Sequence, residues 1–399
     1  MKYAKYILIV FLAAALVTGA EAGSIFSGGG IGLWKFNPGG RESGMGILGL
    51  GLADTSAVGG INPAVWAGGE ITRFSGGASV TRYLSRGHGI DDVSDDFELQ
   101  YVAVGVALKP PVVIGFRFFP QSRADIRLQS SESVGGNDYD RLQIYRGGIS
   151  QASAVVSGRI TDKLWAGGTV DFMFGTLDSY LRVNFDAIQD VEYRLTNHLF
   201  GVKPRLGLLF FPREGVSVGV TGAPGISLNV EREIDYTTSD SLWEAEDEYQ
   251  VPFEIGVGGA FPLSGRFNGA VDVMYLGWDD QKKSIGNPSS YREAFFVGAG
   301  VELKPVERLL ATVFQKSFYR LGANYRSFYY EFPAGESVTE LSVSAGMGIP
   351  LKDDGSRLDF SLIVGQRGDL TANDLQETFV SFGLYINAGE RWFIDRDEN

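Results

Sequence analysis

Two histidines and no cysteine in 399 residues remove most soft-metal and thiol chemistry at the outset. His88 stands in a glycine-rich loop and His198 near the start of a strand, and both are expected to be solvated or structural. No Ser-His-acid arrangement can be placed along the chain. GGGIGLWKF (28–36) has the glycines of a phosphate loop but lacks the preceding strand and the Lys-Ser/Thr pair. The Arg-Gly-Asp within QRGD (366–369) reads as a chance tripeptide. No catalytic residue, metal site or cofactor is expected, and the chain is not read as an enzyme. The side chains suited to binding chemistry are cations: Arg117 in VVIGFRFF, and Lys203 and Arg205 in FGVKPRLGLLF. Ile114, Phe116 and Phe118 alternate with the first; Phe200, Val202, Leu206, Leu208 and Phe210 alternate with the other two. The cations therefore share the face opposite the apolar one. There they can hold the carboxylate of a ligand, Arg bidentately. Equally, they can pair with carboxylates on the same face, for which Asp171, Glu254, Asp272, Glu302 and Asp359 are candidates.

The elements that must position these groups are strands. From Glu70 onward the chain alternates apolar with small or polar residues, as in RLDFSLIVG, where Leu358, Phe360, Leu362 and Val364 share a face. About fourteen such segments follow one another, an even number of the kind bacterial outer-membrane barrels use. They fall near 70–84, 97–108, 112–128, 141–158, 163–183, 191–211, 215–233, 249–261, 266–278, 291–303, 308–325, 338–350, 357–366 and 376–390. Short connections (KPP, TD, PREG, PLSG, KPVE, LKDDGS) alternate with long ones such as SRGHGIDDVSDD and DYTTSDSLWEAEDE. That is the arrangement of a membrane barrel, with tight turns in the periplasm and long loops outside. A soluble β-sandwich shows the same alternation. Its second face, however, would be rich in Lys and Glu, where this one is mostly Gly, Ser and Ala. Many segments also exceed the usual globular strand of about 5–6 residues. Aromatics near strand ends (Phe118, Phe119; Phe210, Phe211; Tyr275, Trp278; Trp392, Phe393) are expected at the membrane interfaces. Pro204, Pro252 and Ala223-Pro224-Gly225 fall inside strands, so each marks either an ordinary bulge or a break in the wall.

The net charge of −13 argues against binding nucleic acid through its phosphates. Lys2 and Lys5, an apolar run from Tyr6 to Val17 and Ala20-Glu21-Ala22 form a secretory signal, 1–22, cut before Gly23. Residues 23–69 then form an apolar, glycine-rich segment outside the strand pattern, and 70–399 form the barrel with a short tail. A free tail would be polar and charged, so the 23–69 segment is expected to fill the lumen as a hatch. Within it, Asn62-Pro63-Ala64 reads as a tight turn whose amide can bond neighbouring backbone. An even strand count returns both termini to the periplasm. DDVSDD (91–96) and EAEDE (244–248) either meet divalent cations at the lipopolysaccharide surface or are simply solvated.

The stretch GMG…ADTSAVGGINPA ahead of a barrel of this size resembles the FadL family of outer-membrane transporters for long-chain fatty acids and hydrocarbons. VPFEIGVGGAFPLSGRFNGAVDVMYLGW (251–278) is similar to that family's hairpin ending in an interfacial tryptophan, and 364–393 is similar to its closing stretch. The resemblance covers nearly all of the chain after the signal, though the extension IDRDEN beyond Trp392-Phe393 departs from barrels that stop on an aromatic. It implies an all-β transmembrane antiparallel barrel of about fourteen strands with an N-terminal hatch. It also implies passive entry of hydrophobic small molecules and lateral exit through the wall. The expected setting is the bacterial outer membrane, with lipid and lipopolysaccharide around a monomer inserted by the barrel assembly machinery. The alternative is a barrel that does not transport and serves as a scaffold or secretion-associated anchor.

Overall fold

The computed structural model describes residues 23–36, 39–87, 89–108, 112–134, 137–185, 188–236, 239–278, 291–306, 308, 310–331, 336–351 and 355–390. The signal segment, His88 and the Trp392-Phe393 pair lie outside the described residues. In chain order the strands are β1 Leu33–Trp34, β2 Thr72–Gly87, β3 Ile90–Ala107, β4 Val112–Pro120, β5 Ser122–Val134 and β6 Asn137–Thr161. Next come β7 Leu164–Phe185, β8 Ile188–Arg213, β9 Val216–Ala223, β10 Ile226–Tyr236, β11 Ser239–Val251 and β12 Phe253–Ser264. The last six are β13 Phe267–Gly277, β14 Ala294–Leu303, β15 Phe318–Glu331, β16 Ser337–Pro350, β17 Arg357–Asp369 and β18 Leu375–Glu390. β18 pairs with β2 and closes the sheet. β4 with β5, β9 with β10 and β11 with β12 are each one bent barrel strand, and β1 belongs to the hatch, which leaves a closed barrel of 14. Closure pairs the first barrel strand with the last, as a sheet in lipid requires.

The period-two pattern sorts side chains as expected. Phe200, Val202, Leu206, Leu208 and Phe210 point outward, as do Ile114 and Phe116. Arg117, Lys203 and Arg205 point inward and are buried. No described helix is long and apolar enough to cross a membrane, and the apolar outer face is carried by strands alone.

Three expectations are corrected. Several long connections are not loops: β2 and β3 stay paired to Gly87↔Ile90, β5 and β6 to Val134↔Asn137, and β10 and β11 to Tyr236↔Ser239. Their polar sequences hid the continuation, because strands that rise above the lipid have no apolar outer face. Trp278 is not interfacial but fully buried in the lumen, with Phe119 also inward. Finally, the strand expected from 308 begins only at Phe318; the described residues among 304–317 lie outside any strand.

Candidate functional site

The described residues of 23–69 pack against inward-facing side chains of the barrel strands at many points. At the start, Ser24 Oγ and the Ile25 amide donate to the Glu377 carboxylate, at 2.7 and 3.0 Å. Next, β1 adds to the inner side of β5, Leu33 opposite Arg123 and Trp34 opposite Ser122. Trp34 meets Trp278 edge-on, and Trp278 stacks on Tyr329 with centroids 4.1 Å apart. The Tyr329 hydroxyl donates to Gly32 O at 2.7 Å. In this aromatic mass Tyr329, Tyr330 and Tyr145 donate to the carbonyls of Gly32, Phe26 and Gly30, and Tyr249 donates to Tyr291.

Lower down, the hatch completes a ring of alternating charge. Arg41 holds Glu302 bidentately (2.7 and 3.0 Å), and Glu302 accepts from Arg320 at 2.8 Å. Arg320 donates to Asp359 at 2.5 Å, Arg357 to Asp359 at 2.7 Å and to Asp54 at 2.8 Å, and Asp54 returns to Arg41 at 4.0 Å. Hatch and wall thus share three arginines and three carboxylates with no net charge. The paired arginines hold the Asp54 carboxyl well below the usual range. Glu42, buried in the one-turn helix Gly40–Ser43 close to Asp54, is left outside the ring; burial, then Asp54, pushes its carboxyl up to about 7.

Asn62-Pro63-Ala64 closes the far end of the hatch. Asn62 caps the 3-10 turn Pro63–Gly68: its Oδ1 accepts from the Ala64 amide at 3.0 Å. Its Nδ2 donates to Leu50 O at 2.9 Å and to Leu208 O on β8 at 3.0 Å. Pro63, first in the turn, has no amide hydrogen to leave unpaired there. A methyl group on Gly207 would lie 2.0 Å from Asn62 Oδ1, so only glycine lets the wall approach this closely. The tripeptide is therefore both a helical cap and a tie between hatch and wall.

The cations and prolines singled out in the sequence converge on one bend. Lys203 and Arg205 flank Pro204 on β8; both reach Glu254, at 2.6 and 2.8 Å, and Arg205 lies 3.6 Å from Asp171. Lys203 Nζ also donates to Pro252 O at 2.8 Å. Arg117 donates to the hatch carbonyl of Gly60 and lies 4.4 Å from the Phe119 ring centroid. Pro224 and Pro252 separate β9 from β10 and β11 from β12. Yet Ala223↔Glu254 and Ile226↔Val251 are in one register, so the two strands bend together.

A wider opening lies where the sequence reading did not look. β4 pairs with β3 only from Val102 to Ala107, whereas β5 pairs with β6 and with the hatch. Between Pro120↔Ser150 and Ala124↔Gly147 the bent strand takes one residue more than β6, and β5 turns away from β3. The available signals were Pro120 at a strand end and the Gly147-Gly148 pair, both at positive φ (120° and 147°). Side chains span the seam: Arg123 reaches Asp96 at 2.7 Å and Asp125 at 3.1 Å, and donates to Phe97 O at 3.3 Å. Outside it is a recess of about 820 Å³ bounded by Leu99, Phe118, Pro120 and Phe174. Inside is a lumen cavity of about 140 Å³ with apolar Leu33, Phe36, Ile47 and Phe379, cationic Lys35, Arg326 and Arg367, and carboxylates that include Asp96 and Glu340; Lys35 pairs with Glu98 and both arginines with Glu340. Glu98, Arg123 and Asp125 line both spaces. Burial, with Arg123 beside it, lowers the Lys35 ammonium from its ordinary range. A third cavity, about 370 Å³, lies across the hatch turn at Gly28 and is lined by Ile126, Tyr145, Tyr193, Leu195 and Arg232.

The model of the BamG family matches residues 1–214 and 216–399. The chain belongs to the BamG family. No curated protein matches it. Among solved structures, this BamG-family barrel is similar to the Ralstonia pickettii toluene transporter TbuX, with 16% identity over 89% of this chain and 99% of that one, and a TM-score of 0.62. It is also similar to the CymD monoaromatic hydrocarbon channel (14% identity, 91% and 100% coverage, TM-score 0.59) and to a Pseudomonas aeruginosa FadL homologue (11%, 90% and 99%, 0.59). At such identities the likeness is one of fold. The resemblance read in the sequence is thus that of a FadL-type barrel architecture, carried here by the BamG family.

Proposed function

We propose that this barrel admits amphipathic small molecules at the long-hairpin end, past the hatch, and releases them sideways into the outer membrane through the seam between β3 and β5. The observation that carries the reading is that the lumen cavity and the outer recess share Glu98, Arg123 and Asp125 as a common wall. A ligand leaving the cavity would have to move a few polar side chains and no stretch of strand ladder. The cavity's chemistry suits an apolar body with a polar end: Phe36, Ile47 and Phe379 meet the first, and the second faces Lys35, Arg326 and Arg367, which are themselves paired with Glu98, Glu340 and Glu377. Solved barrels of this fold are named for toluene and monoaromatic hydrocarbons, which suits the apolar part of that description. Saturable uptake of labelled oleate into a strain lacking its own fatty-acid channel, weakened by Lys35→Ala, is the expected result. No uptake with a heat-modifiable barrel present would overturn it.

A second reading has its own support. The buried charge ring and the aromatic mass fix the hatch at many points, which suits a barrel whose work is to hold a partner. The family name hints at a link to barrel assembly. On that reading, the detergent-extracted barrel brings a stoichiometric partner with it and oleate uptake is absent.

A further inference from the structure

One rim of the barrel carries tight turns, Thr161–Leu164, Arg213–Val216 and Ser264–Phe267. Between β14 and β15 the same rim carries something larger, the turn 304–317. It is folded. The Val306 amide donates to Gln315 O at 2.8 Å, Lys316 to Thr312 O at 3.0 Å, and Ser317 Oγ to Val313 O at 2.8 Å. A fold held this way would ordinarily turn its apolar side chains inward. Here they stand out: Leu310 is 99% exposed, Phe314 67% and Val313 60%.

Two observations say what covers them. Tyr319 lies on the outward, lipid-side face of β15 beside exposed Leu321, and its hydroxyl donates to Phe314 O at 3.0 Å. The knob is thus tied to the outside of the barrel and not to its lumen. It continues the apolar belt through Phe267 and Leu263 on the neighbouring turn, both exposed. Around its base stand the exposed cations Arg266, Lys304, Arg308 and Lys316, with Arg266 donating to Lys304 O at 2.8 Å. Apolar tip, outward tether and basic base together fit the boundary between acyl chains and phosphates.

We propose that residues 304–306, 308 and 310–317 form a membrane-interface anchor, with Leu310, Val313 and Phe314 in the acyl boundary of the leaflet on the tight-turn side and the four cations at its phosphates. It needs only that the barrel sit in a membrane, whether or not the barrel conducts. The chain has no cysteine, so a single Leu310→Cys carries an environment-sensitive fluorophore without background. The labelled protein is placed in phosphatidylethanolamine–phosphatidylglycerol vesicles, with Glu214→Cys in a tight turn as the aqueous reference. The expected result is a blue-shifted Leu310 label quenched by spin-labelled lipid and several-fold less by iodide than the reference. Arg308→Glu with Lys316→Glu is expected to move it toward the reference. A Leu310 label quenched by iodide as strongly as the Glu214 label would overturn the proposal. So would a label shielded from both quenchers in native membranes but not in vesicles, which would mark a protein partner.

Discussion

The hatch meets the wall in two contrasting ways. Against β14, β15 and β17 it is joined by the ring Arg41–Glu302–Arg320–Asp359–Arg357–Asp54, every member buried or nearly so. Against the β3–β5 seam it offers the short strand β1, Lys35 and hydrogen bonds of Gly23 and Ser27 with Asp125 and of Gly23 with Ser94, while Arg123 joins the two wall strands through Asp96 and Phe97 O. Buried charge pairs are costly to break, because removing one partner strands the other out of water. A seam closed by side chains, with a third of Arg123 exposed, opens at far less cost. Movement in this barrel should therefore occur at the seam while the ring keeps the hatch in place.

That contrast can be broken first at the ring. Asp359→Ala leaves Arg320 and Arg357 short of a partner, and a loss of about 3–5 kcal/mol is expected. Thermal unfolding followed by heat-modifiable electrophoretic mobility reads it directly.

A pH series sharpens the same side. The carboxyl of Glu42 titrates near 7 in the fold against an ordinary value of 4.5, so the folded state holds a proton that the unfolded chain has released. The stability Glu42 contributes is then full below about 4.5 and is lost as pH rises toward 7, by about 3 kcal/mol. Glu42→Gln should flatten that slope; an unchanged slope would place the proton elsewhere.

Asn62→Ala removes a cap and a tie to Leu208 together, with an expected cost of about 1–3 kcal/mol in the same assay. Arg123→Ala is the smallest case. Its stability effect should stay well below that of Asp359→Ala, since Arg123 is partly exposed while only Asp96 is buried, and a thiol reagent should label Glu98→Cys markedly faster in that background. Equal labelling rates would mean that Arg123 does not close the seam.

Much of this architecture was legible in the sequence, for a simple reason: in a barrel wall each strand faces lipid on one side and the lumen on the other. Alternation in FGVKPRLGLLF was enough to send Phe200 and Leu208 outward and Lys203 and Arg205 inward. The apolar composition of 23–69 likewise foreshadowed the packing of Phe26, Ile31, Leu33 and Trp34 against wall side chains. What was not legible depends on register between distant segments. The bend at Pro204, Pro224 and Pro252 was visible as prolines, but that Lys203 would satisfy the Pro252 carbonyl was not. Pro120 fell inside the segment expected as a single strand, 112–128, and only its register against Gly147 and Gly148 makes it a seam. Trp278 looked interfacial because its partners in the stack, Trp34 and Tyr329, lie far away in sequence.

The most direct test is to straighten the seam. Deleting Ser122 removes the extra residue of the bent strand and lets β5 run on beside β3. Labelled oleate uptake is then compared with the unmodified barrel at equal amounts of heat-modifiable protein. The account predicts saturable uptake through the unmodified barrel and its loss on deletion. Equal uptake through both barrels would contradict it, as would no uptake through either.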